Sequence, residues 1–298
     1  MLNNLDRFFD LAAQKAGGRL AVAACHDKDV LLACIEAEKR GLCHPILIGD
    51  GEKTAELLRT LGQDPAAYEI ISTPDDVASA AMAVSLVREG KADSIMKGLL
   101  QTGDLMRAVI HKETGIRTGR LLSHVMVYEC PGYDRLLYLT DGGMNTFPSL
   151  EQKAEILENA AQVLQKLGYT ESAAACICGA EAVNPKIQST LDAQALSEMQ
   201  DRWAPYGLSV YGPVGLDLAI SPHAVEKTKY AAPGAGKADI LLVPNYQVGN
   251  GIGKAMTYFG GARSAGIIVG AACPIVLVSR ADSFETKLLS IAMAAAVV

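Results

Sequence analysis

Residues 19–50, RLAVAACHDKDVLLACIEAEKRGLCHPILIGD, decide the fold class. Two short apolar runs, RLAVAAC (19–25) and HPILIGD (44–50), enclose DKDVLLACIEAEKRG, whose apolar residues recur at helical spacing. The strand-like runs do not alternate apolar with polar residues, so burial on both faces is predicted, as in a parallel sheet between helices. The pattern repeats through YEIIS (68–72) and DSIMKG (93–98), with helical stretches between. Two strand-like runs, RLLSHVMVYE (120–129) and RLLYLTD (135–141), then follow each other with only CPGYD between, and that hairpin-like break is the candidate domain transition. Beyond it the alternation resumes with a helix over 149–168, AAACICG (173–179), a helix over 186–202, LSVYGPV (208–214), DILLVP (239–244) and a helix near 250–259. The strands AGIIVG and PIVLVS and a helix from about Asp282 follow. No repeat, low-complexity segment or long linker appears. The expected fold class is α/β, two three-layer α/β lobes around a cleft, with 1–128 plus 281–298 as the first domain and 129–280 as the second.

The chain has 298 residues, 27 Lys+Arg against 33 Asp+Glu, a net charge of -6 and 50% hydrophobic residues, which excludes a disordered or collagen-like chain. Net acidity argues against a nucleic-acid partner, because that binding needs cationic surface to neutralise phosphates. Any anionic ligand must therefore meet a local basic site. Asp6, Arg7 and Asp10 interrupt what a signal peptide would keep apolar, so the N-terminal stretch reads as an amphipathic helix and no export is expected. The apolar stretches 265–278 and 288–298 are too short or too broken by Gly266, Gly270 and Pro274 to span a membrane. Seven cysteines, mostly in apolar runs, suit a reducing cytoplasm. Cys25, Cys34 and Cys43 are spaced by nine, which reads as a strand, a helix and the next strand each giving one core thiol rather than as a metal knuckle, and no metal is expected.

Several chemistries lack their motifs. No G-x-x-x-x-G-K-[ST], no G-x-G-x-x-G after a first strand, no G-x-S-x-G and no H-E-x-x-H occurs. The glycine cluster GNGIGKAMTYFGG (249–261) holds Lys254, and reads either as a backbone phosphate cradle or as a tight turn. In IVLVSRADSFETKLLSIAMAA a buried strand ends at Val278, and Asp282 with Glu285 three residues later matches a helix N-cap signature. Ser279 and Arg280 thus sit where a strand end meets a helix N-terminus, a place that favours phosphate; a plain capping turn with Arg280 on the surface reads equally well. A second segment, SIMKGLLQTGDLMRAVIHKETGIRTGRLLSHV, places Lys97 at a strand end, Thr102 as N-cap, and Asp104 and Arg107 one turn apart. Its alternative is a solvated Asp–Arg pair of little energetic weight. Cys130, before Pro131, lacks a sequence-adjacent base and reads as packing.

These segments resemble the phosphate acetyltransferase and butyryltransferase family. MKGLLQTGDLMRAV, GIRTGRLLSHVMVYE, YLTDGGMN, EAVNPK, GPVGLDLAIS, AGKADILLVPN, TYFGGARSAGIIVG and SRADSFETKLLSIA carry the resemblance in order from about Lys91 onward. LLSHV, VNP and SRADS-x-ETK bring it nearest the butyryltransferase branch. The resemblance implies a two-lobed fold like the isocitrate and isopropylmalate dehydrogenases, and the reversible reaction acyl-CoA + phosphate to acyl phosphate + CoA, with no acyl-enzyme. It implies acyl-CoA, phosphate and acyl phosphate as partners, coenzyme A as substrate with no bound cofactor, and a homodimer or higher homo-oligomer. By the same resemblance Ser279 matches a serine bonding phosphate or the carbonyl oxygen, Arg280 a phosphate-binding arginine, and Arg107 a second arginine of the site. Asp141, Asn145, Asn184 and Pro185 match cleft-lining segments, with turn-shaping as the alternative. The acetyl branch has an aspartate where this chain has Thr286, so Asp282 or Glu285 substitutes as base, or positioning alone suffices. A phosphate acetyltransferase is the alternative within the class, since a methylene contributes only about 1–3 kcal/mol of discrimination. A dehydrogenase-like or acyl-CoA-sensing protein on the same fold is the alternative outside it.

Overall fold

The structure is a computed structural model that describes residues 2–15, 17–279 and 282–298. Arg280 therefore lies outside the described residues. The chain forms two compact units, Asp6–Arg120 with Ala265–Val298, and Met1–Leu5 with Leu121–Ser264.

The first unit runs α1 (Arg7–Ala13), β1 (Gly18–Ala23), α2 (Lys28–Lys39), β2 (Cys43–Gly49), α3 (Gly51–Thr60), β3 (Glu69–Ser72), α4 (Asp76–Arg88), β4 (Ser94–Lys97) and α5 (Thr102–Ile110). The aspartates behind the early strands start the helices. Asp27 accepts from the backbone of Asp29 and Val30, Asp50 from Lys53, and Asp75 from Ala78, each satisfying donors that the first turn leaves without partners. The second unit holds β5 (Ser123–Glu129), β6 (Leu137–Thr140), α6 (Leu150–Lys166), β7 (Ser172–Ile177), α7 (Gln188–Glu198), α8 (Gln200–Trp203), β8 (Leu208–Val214), α9 (Leu216–Ile220), α10 (Pro222–Thr228), β9 (Ile240–Leu242) and α11 (Tyr246–Tyr258). β10 (Arg263–Val269), β11 (Ile275–Val276) and α12 (Phe284–Val297) complete the first.

Strands of the first unit neighbour one another in the order β3-β2-β1-β4-β11-β10, those of the second in the order β5-β6-β9-β7-β8. Parallel pairing dominates, as the unbroken apolar runs imply: β1 with β2 and β4, β2 with β3, β4 with β11, and β6-β9-β7-β8 in series. Every residue of β4, β6 and β7 is buried, so both faces of these strands are covered. Cys25, Cys34 and Cys43 are buried, in the turn after β1, in α2 and in β2, and burial pushes the Cys25 and Cys43 thiols up to about 11 and about 12. All seven cysteines are free, and among the described residues no helix is long and apolar enough to cross a membrane.

Strand pairing sets limits different from those expected at 128 and 281. β5 pairs antiparallel with β6, so the CPGYD hairpin is internal to the second unit and the chain changes unit before β5. β11 pairs parallel with β4 and antiparallel with β10, so the strands before α12 belong with residues 6–120. The helix over 186–202 is broken at Met199, and two short helices, α9 and α10, fill a stretch where the sequence shows no periodicity.

Two contacts in the second unit are decisive for packing. Lys153 of α6 and Asp192 of α7 form a buried ion pair, Nζ to Oδ2 2.6 Å, and Gln188 donates to the other carboxylate oxygen at 2.8 Å. Gly249 of α11 meets the Gly142 backbone so closely that an added Cβ would lie 2.7 Å from the Gly142 Cα and 2.7 Å from Val243 Cγ2. Removing one member of the ion pair strands the other charge, so Asp192→Ala is expected to cost about 3–5 kcal/mol, whereas Lys153→Met with Asp192→Leu stays near neutral; denaturant unfolding measures both. Gly249→Ala is expected to lose about 1–3 kcal/mol in the same measurement, because neither neighbour is the end of a flexible side chain.

Candidate active site

Parallel strands release their chains on one edge, and Lys97 and Ser279 in the first unit and Asp141 and Asn184 in the second lie at or after such strand ends. In the first unit the register Ile95↔Ile275 and Met96↔Val276 places Lys97 level with Leu277, two residues before Ser279. Lys97 is buried, and its ammonium donates to the carbonyls of Gly98 at 3.0 Å and Leu100 at 3.1 Å, holding the turn that leads into α5. Gly98 follows because a Cβ there would meet the Ala24 carbonyl oxygen at 2.2 Å. Gln101, not Thr102, occupies the N-cap of α5, and no side chain caps it; Thr102 is the exposed first helical residue. Asp104 and Arg107 pair across one turn at 2.7 Å, with 73% of the Arg107 side chain exposed.

The turn before α12 differs from the expected capping. Ser283 is the N-cap and accepts from the Thr286 amide at 3.1 Å. The Asp282 carboxylate points back instead and accepts from the Ser279 amide at 2.6 Å, while the Asp282 N–H donates to the Ser279 carbonyl at 3.1 Å. Ser and Asp both suit an N-cap, and the one-residue shift leaves Asp282 to close the turn that presents Ser279. Glu285 is exposed in the first turn of α12. Lys287, quoted in the ETK motif but given no role, is 4% exposed, and its Nζ donates to the Asp282 carbonyl. A lone cation at the head of the apolar run LLSIAMAAA is its signal in the sequence.

In the second unit Asp141 follows β6 and is buried. Its carboxylate accepts from the amides of Gly143 and Met144, both at 2.8 Å, and from Asn145 Nδ2 at 2.6 Å; the same Nδ2 donates to the Leu122 carbonyl at 2.9 Å. Asp141 and Asn145 thus shape the turn, the alternative left open in the sequence. Asn184 lies in the loop after β7, where its amide donates to Thr190 Oγ1 at 2.9 Å and its Oδ1 accepts from the Lys186 amide at 2.9 Å. The glycine cluster is helical: Gly249, Gly251 and Gly253 lie within α11, capped by Asn245, and Lys254 is exposed with its Nζ 5.8 Å from the centroid of the Tyr258 ring. No loop is available there to cradle phosphate, which corrects that reading. Its glycines serve close packing, since a Cβ on Gly253 would meet the Tyr128 hydroxyl at 2.3 Å. Cys130 faces Met256 Sδ at 3.7 Å and burial raises its thiol, as a packing residue requires. Among the described residues no cluster of His, Cys, Asp or Glu is arranged to hold a metal ion.

Known proteins align with this arrangement over nearly the whole chain. A phosphate butyryltransferase of Clostridium acetobutylicum is 42% identical over 297 residues, covering 100% of this chain and 99% of its own. A phosphate acetyltransferase of Thermotoga maritima is 38% identical, with 98% of each chain covered. The crystal structure of a branched-chain phosphotransacylase from Enterococcus faecalis superposes with a TM-score of 0.84 at 34% identity, over 94% of this chain and 98% of that one. The family described as phosphate acetyl/butaryl transferase matches residues 54–295, and the chain belongs to it.

Proposed function

We propose that the protein transfers a short-chain acyl group, butyryl by preference, reversibly between coenzyme A and inorganic phosphate, with coenzyme A as substrate and no bound cofactor. The observation that carries the reading is the placement of Ser279, joined to family membership. Ser279 lies just beyond the paired ends of β4 and β11, before the N-terminus of a 14-residue helix, where free N–H groups and the dipole favour an anion. Arg280 and Arg107 supply guanidinium groups for phosphate, Lys97 holds the neighbouring turn, Thr102 offers an exposed hydroxyl at the head of α5, and Asp141, Asn145 and Asn184 shape loops beyond strand ends of the second unit. Lys254 is left to its aromatic neighbour. A cytoplasmic homo-oligomer completes the reading, and seven free thiols suit that compartment.

Proton accounting supports direct attack. A hydrogen phosphate oxygen forms the new C–O bond, the tetrahedral centre collapses with cleavage of the C–S bond, and the proton carried by the nucleophile is the one the leaving thiolate needs. No net base is required, so Thr286 in place of an aspartate is compatible with turnover. Asp282 then serves by closing the Ser279 turn, and Glu285 by adding charge to the first turn of α12. What the site must supply is orientation and charge stabilisation at the carbonyl oxygen.

The phosphate acetyltransferase relative at 38% identity favours acetyl transfer as the second reading. Measuring kcat/KM for phosphate-dependent CoA release from acetyl-, propionyl-, butyryl- and isobutyryl-CoA separates the two; butyryl is expected to lead, and no release from any of them rejects the class. Ser279→Ala and Arg280→Ala are expected to stay folded yet lose about 100-fold or more in kcat/KM, with Arg280→Ala also weakening phosphate binding. Near wild-type turnover in both variants removes the site assignment.

A further inference from the structure

α12 is nearly all apolar: Leu288, Leu289, Ile291, Ala292 and Met293 are each buried to within 3% of fully covered. Lys287 sits among them at 4% exposure. Its ammonium donates to the backbone carbonyl of Asp282, and no carboxylate lies within ion-pair distance of it among the described residues. Packing alone does not select lysine here. Methionine fills a similar volume without the desolvation penalty of a buried charge. The position is also in the first turn of the helix, where the dipole already favours negative charge and disfavours a cation. Two unfavourable terms thus meet at one residue.

An anion in the adjacent turn would offset both, because it attracts the ammonium and the positive end of the helix alike. The Asp282 carbonyl held by Lys287 belongs to the same residue whose carboxylate and amide close on the amide and carbonyl of Ser279. Lys287 therefore tethers the end of the turn that presents Ser279, and brings a full positive charge to the head of the helix. We infer that Lys287 is a positioning residue for the phosphate subsite: its ammonium fixes the turn between β11 and α12 and tunes that end of the helix for phosphate. The inference rests on the reading above that phosphate binds at Ser279.

Three variants divide tether from charge. Lys287→Arg keeps the cation, Lys287→Gln keeps a donor for the Asp282 carbonyl without the charge, and Lys287→Met removes both. Two readouts are used on each full-length protein: KM for phosphate beside KM for butyryl-CoA, and the rise in Tm on adding inorganic phosphate. Lys287→Met and Lys287→Gln are expected to raise the KM for phosphate about tenfold or more, to leave that for butyryl-CoA within about twofold, and to shrink the phosphate-induced rise in Tm. Lys287→Arg is expected to restore most of each. A wild-type phosphate KM and Tm rise in Lys287→Gln overturns the inference, as does an equal rise of both KM values in every variant. Should Lys287→Met not fold, Lys287→Gln and Lys287→Arg decide alone. A wild-type protein that releases no CoA rejects the functional reading instead, and the Tm response to phosphate still reports on Lys287.

Discussion

Two register pairs, Ile95 with Ile275 and Met96 with Val276, hold the first unit's candidate residues on one edge. They bring together segments separated by the whole of residues 121–264, so the loop closed is long, and its entropy must be met by burial of the joined strands. β11 has only two residues, yet it is buried and flanked by β4 on one side and β10 on the other. That insertion sets Ser279 three residues beyond a buried strand end. Everything after it follows from local chemistry: the turn closed by Asp282, the cap from Ser283, and the helix that ends the chain.

Several carboxylates of this acidic chain are structural. Asp27, Asp50 and Asp75 cap helices, Asp141 gathers three backbone amides and the Asn145 side chain, and Asp282 binds the Ser279 amide. Each converts a negative charge into satisfaction of backbone donors that a loop would otherwise leave to water. A net charge of -6 therefore says little about the potential at a particular strand edge. Lys97 ends β4 beside β11, and Lys287 holds the carbonyl of Asp282 at the head of α12, whatever the total.

How far the sequence was legible depends on whether local or distant contacts select a residue. Strands such as RLAVAAC and HPILIGD and helices such as 150–166, with its Ser149–Gln152 capping box, are dictated locally, and the structure follows the reading. GNGIG misleads because its glycines answer to distant partners. Gly249 and Gly253 are needed where Gly142 and Tyr128 approach α11, so a helix keeps residues that propensity alone would assign to a turn. The one-residue displacements at Gln101–Thr102 and Asp282–Ser283 arise because adjacent polar residues can each serve as cap, and only the surrounding turn chooses. SRADSFETK was visible as a strand end running into a helix start. Lys287 showed only as a lone cation beside an apolar run, and nothing in a sequence tells a buried lysine from a snorkelling one.

Two of the three buried lysines, Lys153 and Lys287, frame the physical question that the fold leaves to function. Lys153 has a carboxylate, Asp192, at 2.6 Å, and the pair needs no ligand to account for it. Among the described residues Lys287 has only a carbonyl, which offers a partial negative charge against a whole positive one. A fold under selection for stability alone would exchange the second lysine for an apolar residue more readily than the first, because no counter-charge would be stranded by the loss. On the inference above, its presence at the turn closed by Asp282 answers to what arrives at that turn rather than to what already surrounds it. Phosphate, carrying close to two negative charges and several acceptor oxygens, is the ligand class that gives both the dipole and the ammonium a partner.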